Sequence, residues 1–270
     1  MHEAVRRAHK RQLANMSVIY SITMKNILKT KRTLFMFLIA MIPLLFSVMY
    51  IFMKMSETTH ISGLGYFTRL MSVFQIRGVM LVLTVFYGST VFTDELDRKT
   101  LIYLQARPVS SFSMIFGKFL SALSLVSGLL VLSTVSSYTI LMLMDGGNAF
   151  MGNMIYLWKD LLVMILGSMA YIAFMLALSM MVKKPVLWGL VFMLGWENIV
   201  VNIPGPVSKM TLLHWIQSIF PHPSVTNKFL AAIHPESSPI DTSITVLLVA
   251  TMVFLIVAYI VYSRREYKLN

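Results

Sequence analysis

Residues 92–120 read FTDELDRKTLIYLQARPVSSFSMIFGKFL. Six charges, on Asp94, Glu95, Asp97, Arg98, Lys99 and Arg107, fall between two long apolar runs that carry almost none. Residues 94–105 contain neither Gly nor Pro, and Leu96, Leu101 and Leu104 recur near helical spacing while Asp97, Arg98 and Gln105 point elsewhere. The pattern predicts a short amphipathic helix. It must stop before Arg107-Pro108, because the residue ahead of a proline disfavours the α conformation. Ser110 or Ser111 can then cap the helix that follows. A charged helix in water, strung between two apolar ones, reads either as a solvated turn or as a rigid lever for a soluble partner.

The apolar neighbours are the rule in this chain. It is 57% hydrophobic and 13% charged over 270 residues, with a mean hydropathy of +0.74, where a soluble domain carries about 25% charged residues. The expected fold is therefore an all-α integral membrane protein, one transmembrane domain over residues 1–270. A helix needs about 20 apolar residues to cross about 30 Å of hydrocarbon. Six runs approach or exceed that length: 33–53, 70–92, 112–144, 161–182, 186–203 and 242–262. The third is long enough to tilt or project. The fifth is short and ends at Pro204-Gly205-Pro206, and Pro43 predicts a kink in the first. The first 30 residues are polar and basic, without a cleavable signal pattern. Cysteine is absent, which removes disulfides, thiolate metal sites and cysteine nucleophiles.

Basic residues set the orientation. With both termini in the cytoplasm, segment 1–33 holds eight Lys and Arg, residues 94–118 four, the 183–184 turn two and the C-terminal tail three. Six lie outside or near the outer ends of spans: Lys54, Arg69, Arg77, Lys159, Lys209 and Lys228. The expected placement is thus a multi-pass protein of the cytoplasmic (inner) membrane with both termini cytoplasmic. Within the leading segment, 1–32, residues 16–29 put Met16, Ile19, Tyr20, Met24 and Ile27 on one helical face, with Ser21, Lys25 and Lys29 opposite. That suits a helix lying in the membrane interface, its lysines on anionic headgroups, or an extension of the first span. Residues 204–241 hold TLLHWIQSIF and NKFLAAI between prolines, each too short to span, and predict short outer or re-entrant helices.

Catalytic signatures are missing. No G-x-x-x-x-G-K-[ST] occurs: MIFGKF lacks the first glycine and the hydroxyl residue that grips Mg²⁺. HExxH, EF-hand and GxSxG patterns are also absent, and the six histidines show no metal-ligand spacing. Most of the 23 methionines lie within spans, where a thioether is flexible packing. Charges inside the hydrocarbon are expensive and need partners. Glu197, about 12 residues into the fifth span with Asn198 beside it, reads as an interhelical hydrogen bond or as part of the transport path or outer gate. Arg77, near the outer end of the second run, reads as snorkelling, anion-binding or Glu-paired, and with Glu197 and Asn198 it is a candidate for the transport path or gate.

At residues 95–118 the chain resembles the ABC-2 family, the permease subunits of type V ABC exporters. That family's hallmark is Glu, Arg-Gly-Thr, a leucine-rich turn, Pro-Val-Ser-Arg and Gly-Lys. Here it reads Glu95, Arg98-Lys99-Thr100, Leu104, Pro108-Val109-Ser110-Ser111 and Gly117-Lys118, with Lys99 for the usual Gly and Ser111 for the usual Arg. Trp196, Glu197, Pro204 and Gly205 resemble a second family motif at the end of the fifth span. The resemblance implies an N-terminal elbow helix, six spans, and short outer helices between spans 5 and 6. It makes 94–107 a coupling helix seated on an ATPase, with Glu95, Arg98, Thr100, Arg107 and Pro108 as coupling residues. The implied partners are separate ABC ATPase subunits and a second permease copy or paralogue; membrane lipids are expected around the spans, no nucleic acid is expected, and under a rival reading residues 204–241 could dock an extracytoplasmic protein. The chain itself is expected to be neither an enzyme nor a cofactor-binding protein, with ATP and Mg on the partner ATPase. Two other readings stay open: transmission of mechanical work to an outer partner, and an ion-coupled secondary carrier.

Overall fold

A computed structural model of the chain describes residues 2–56, 61–97, 110–203, 205–220 and 237–264. Among these, every regular element is helical. The order is α1 (His2–Leu28), α2 (Lys31–Ala40), α3 (Ile42–Met55), α4 (63–97), α5 (Ser111–Asp145), α6 (Gly147–Gly152), α7 (Met154–Met181), α8 (Pro185–Val200), α9 (Leu212–Ile219) and α10 (Ile240–Arg264). Among the described residues, five segments are long and apolar enough to cross a membrane: Lys31–Met55, Gly63–Phe92, Ser111–Asp145, Met154–Met181 and Ile240–Arg264. The fifth apolar run of the sequence forms α8, which is apolar but shorter than a full span.

Local chemistry explains the breaks. Pro43 has no N–H to give and its ring crowds the carbonyl four residues back. The first span is accordingly interrupted at Met41, and Pro43 sits in the first turn of α3. Helix α4 starts seven residues before the apolar run of the sequence, because Ser62 caps it by accepting from the Gly65 N–H at 3.2 Å. Arg77 is thereby moved from near a helix end to near the midpoint of Gly63–Phe92. It also lies in a π-helical stretch, Leu70–Met80; a second one, Val191–Glu197, lies in α8.

Helices α5 and α7 form the centre. Helix α7 packs against α4, α5, α8, α9 and α10, and α5 against α1, α3 and α4. In hydrocarbon, helices gain nothing from hiding apolar surface from lipid, so close contact through small residues holds them together. Gly88 of α4 shows it: a Cβ there would sit 2.7 Å from the Met175 Cβ of α7. Gly88→Ala is expected to lower stability by about 1–3 kcal/mol through overpacking, read as an earlier thermal melt of the purified protein. A wild-type melt would show that the helices have room to spare.

Two ends of the bundle differ. At one, Lys54 closing α3 pairs with Asp145 closing α5 and donates to the Met144 carbonyl at 2.8 Å, while Asp145 also accepts from the Gly63 N–H opening α4. Three helix ends are clasped there. At the other, α1 lies along the first turns of α5 with Ile19 and Thr23 buried and Ser21, Lys25 and Lys29 exposed. Between the ends, α9 folds back into the bundle. Its Ile216 is fully buried against Gly167, the middle of α7, where a Cβ would come within 2.9 Å of the isoleucine.

Candidate functional site

The first candidate lies where the chain leaves α4 and re-enters as α5. Glu95 falls in the last turn of α4, while Arg98, Thr100, Arg107 and Pro108, with most of the 94–107 segment, lie outside the described residues. On the return, Ser110 is extended and its hydroxyl accepts from the Ser113 N–H at 3.2 Å, an N-cap of the kind its sequence position allowed. Just inside sit Gly117 and Lys118. A Cβ on Gly117 would lie 3.2 Å from the Met16 carbonyl of α1 and 3.1 Å from Ile19 Cγ2, so the glycine lets α1 lie flush. Lys118 is fully buried; its ammonium donates to the Val91 carbonyl of α4 at 3.0 Å and lies 3.9 Å from the centre of the Phe92 ring. Phe92 in turn meets Tyr262 of α10, with ring centres 6.0 Å apart. One dipeptide therefore ties α1, α4 and α5 together at the root of the charged segment.

The second candidate is built around Glu197, which is buried. Its Oε2 accepts from the Tyr171 hydroxyl of α7 and from the Leu213 N–H, both at 2.8 Å, and its Oε1 accepts from the Leu212 N–H at 3.2 Å. The first amides of a helix have no partner within it and carry positive partial charge. Glu197 supplies acceptors to two of them, and the Thr211 hydroxyl accepts from the third, on His214, at 3.2 Å. The chain makes the return from α8 to α9 through Gly205, whose φ of +101° favours glycine. Asn198 donates from Nδ2 to the Met193 carbonyl at 3.0 Å, within the π-helical stretch of α8. Glu197 and Asn198 thus act on backbone, docking α9 and shaping α8. At the far side of α9, His214 meets the Ser238 hydroxyl at 3.0 Å. Burial, and then the charge of Lys209, hold its imidazole below the ordinary histidine value.

Arg77 does not pair with Glu197. Its Nη1 donates to the Asn202 Oδ1 at 3.2 Å, and Asn202 is oriented by donating its own Nδ2 to the Asn198 carbonyl. A guanidinium has only donors to offer, so Gln217 of α9 must face it with its amide oxygen. In that orientation the oxygen lies 2.8 Å from Nε and 3.0 Å from Nη2. The guanidinium is half-buried, bound to two neutral amides.

Several of these groups escape a reading of the sequence. Lys118 looks like one more basic residue of a solvated turn, yet it is fully buried. Asp160 sits one residue before the apolar run at Leu161 and so reads as loop, but α7 begins at Met154 and encloses it completely. Tyr171 and Asp145 carry no local signal, since their partners lie 26 and 91 residues away in sequence. Among the described residues, no group of three or more histidine, aspartate or glutamate side chains could hold a metal.

A comparison with curated proteins finds no match. The family model described as ABC-2 family transporter protein matches residues 25–195, from the end of α1 into the π-helical stretch of α8 and across the whole 94–118 segment. With well over half of the chain matched, and with several apolar helices of spanning length, this multi-pass membrane protein belongs to the ABC-2 family of transporter proteins.

Proposed function

We propose that the chain is the permease subunit of an ATP-driven exporter, worked through residues 94–107 by a separate ATPase subunit that holds ATP and Mg. In this reading α1 is an interfacial elbow, α8 is the fifth of six crossings, both termini face the cytoplasm, and a second permease copy or paralogue completes the pathway. The observation that carries it is the joint at Lys118. A lever transmits force only if its root is stiff, and here the root couples the ends of α4 and α5 through a buried ammonium, with α1 packed on Gly117. Coupling of this kind requires an element that both the motor and the path can bias. Helices α4 and α5 meet that need, since they run from the charged segment to the clasp at the opposite end.

The polar groups nearer the middle favour transport over the other readings. Glu197 is taken up in capping α9, which leaves it poorly suited to the proton or ion exchange of a secondary carrier. Helix α9 is spent on packing within the bundle, so it supports a gate more readily than a dock for an outer protein. Glu197 and Asn198 then act as the frame of that gate.

Arg98 tests the motor contact. Charge reversal, Arg98→Glu, is expected to lower transport-linked ATP hydrolysis of the assembled complex about fivefold or more, the lower end of a 1–3 kcal/mol coupling energy. Thermal melting of the permease should stay at the wild-type value, because Arg98 lies outside the five spans. Wild-type hydrolysis would remove the coupling role.

A further inference from the structure

We propose that Arg77, framed by Asn202 and Gln217, is a binding site for the anionic headgroup of an amphiphile, a phosphate or carboxylate carried on an apolar chain. The inference stands apart from the motor reading and needs only the permease chain. A guanidinium near the midpoint of a spanning helix is costly to keep there. Charges in such places are ordinarily neutralised, and two routes are visible elsewhere in this bundle: Lys54 pairs with Asp145, and Lys118 lies on a carbonyl and an aromatic ring. Arg77 differs, for it forms no ion pair with a described carboxylate and its partners are two neutral amides. Those amides fix the plane of the fork without cancelling its charge.

Placement fits an amphiphile. Three bonds leave part of the five-donor fork free, and the group is only half-buried, so it is open on one side. Val73 and Phe74, four and three residues before Arg77, are exposed large apolar side chains, as are Ile199 and Ile203 beside Asn202. Nothing lies within 4 Å of a Cβ built on Gly78, the next residue. An arginine fork matches phosphate and carboxylate oxygens two at a time, and an apolar surround takes the chain. Asn202 follows α8 and Gln217 lies on α9, so the site is complete only when α9 is seated.

The full chain, purified without its ATPase, is incubated with phosphatidylglycerol or phosphatidylcholine, and lipid retention is read by native mass spectrometry. Wild type is expected to retain phosphatidylglycerol preferentially. Arg77→Gln should lower that preference by roughly tenfold, the effect of about 1.4 kcal/mol. Because Arg77→Gln could also disturb folding, Gln217→Glu is the decisive variant. It places a carboxylate where the amide oxygen now sits, so stability should hold or rise while the preference for phosphatidylglycerol falls as far. A merely structural arginine gives the opposite pattern, with the preference intact in Gln217→Glu. That outcome, or a wild type with no preference, overturns the site. Inorganic phosphate in excess distinguishes the sources of the anion: no displacement is expected, and displacement would overturn the amphiphile assignment.

Discussion

Glu197→Ala is expected to release α9 from the bundle and to lower stability by about 3 kcal/mol or more. The substitution strips acceptors from three donors at once: the Tyr171 hydroxyl and the Leu212 and Leu213 amides. Leaving a buried donor without a partner costs about 1–3 kcal/mol each. Interhelical hydrogen bonds in membranes often measure lower, about 0.6 kcal/mol on average, because the unfolded helices find other partners. The two amides here are different, being the first of a helix and without any internal alternative. Glu197→Gln should fall between, since its oxygen can serve one side while its NH₂ opposes donors on the other. Thermal melting orders the three proteins, and limited proteolysis within 212–219 reports the release of α9. If the alanine variant melts with wild type and resists cleavage, the carboxyl is not what seats the helix.

Lys118→Met should separate stability from function. Methionine keeps most of the volume and removes the charge. The protein then loses a charge-assisted bond worth about 1.5–3 kcal/mol and a desolvated cation–π contact worth up to about 2 kcal/mol. It also escapes the cost of burying an ammonium, which is several kcal/mol. Losses and gain oppose each other, so the melt should move far less than transport does. Transport by the complex reconstituted with its ATPase should nonetheless fall about 5- to 150-fold, the range of a 1–3 kcal/mol coupling energy. The reason is geometric: the ammonium joins the Val91 carbonyl of α4 to α5, and an apolar side chain cannot hold that joint in one register. Undiminished transport would mean that the root of the charged segment does not need the lysine.

Both expectations turn on residues that the sequence ranks very differently. Glu197 stands out by itself, because an acid inside an apolar run is costly and must be partnered. The sequence leaves its partner open, and the candidate nearest in charge, Arg77, is not it. The partners are backbone amides of a helix whose first residue lies 15 positions on, reached by the turn at Gly205. Lys118 does not stand out at all. It reads as solvated, and only the approach of α4 to α5 encloses it.

Arg77 shows how helix limits decide chemistry. Hydropathy begins the second span at Leu70, but the Ser62 cap begins α4 at Gly63 and carries the arginine to mid-helix. The same error hid Asp160, left outside a run that opens at Leu161 although α7 starts at Met154. Apolar runs report where lipid or core contact starts, whereas caps and backbone geometry set where a helix starts.

By itself the sequence determined the class of the molecule, the approximate position of its apolar helices, the break beside Pro43, the exposed face of α1 and the family. These follow from local rules: a chain in lipid must satisfy its backbone within each segment, so helices form wherever enough apolar residues run together. Tertiary structure alone decided that Glu197 caps α9, that Lys118 ties α4 to α5, that Asp145 clasps three helix ends and that Arg77 faces two neutral amides. Each of these depends on the depth and rotation of one helix against another. Close packing through residues such as Gly88 and Gly167 fixes that geometry, and no spacing along the chain encodes it.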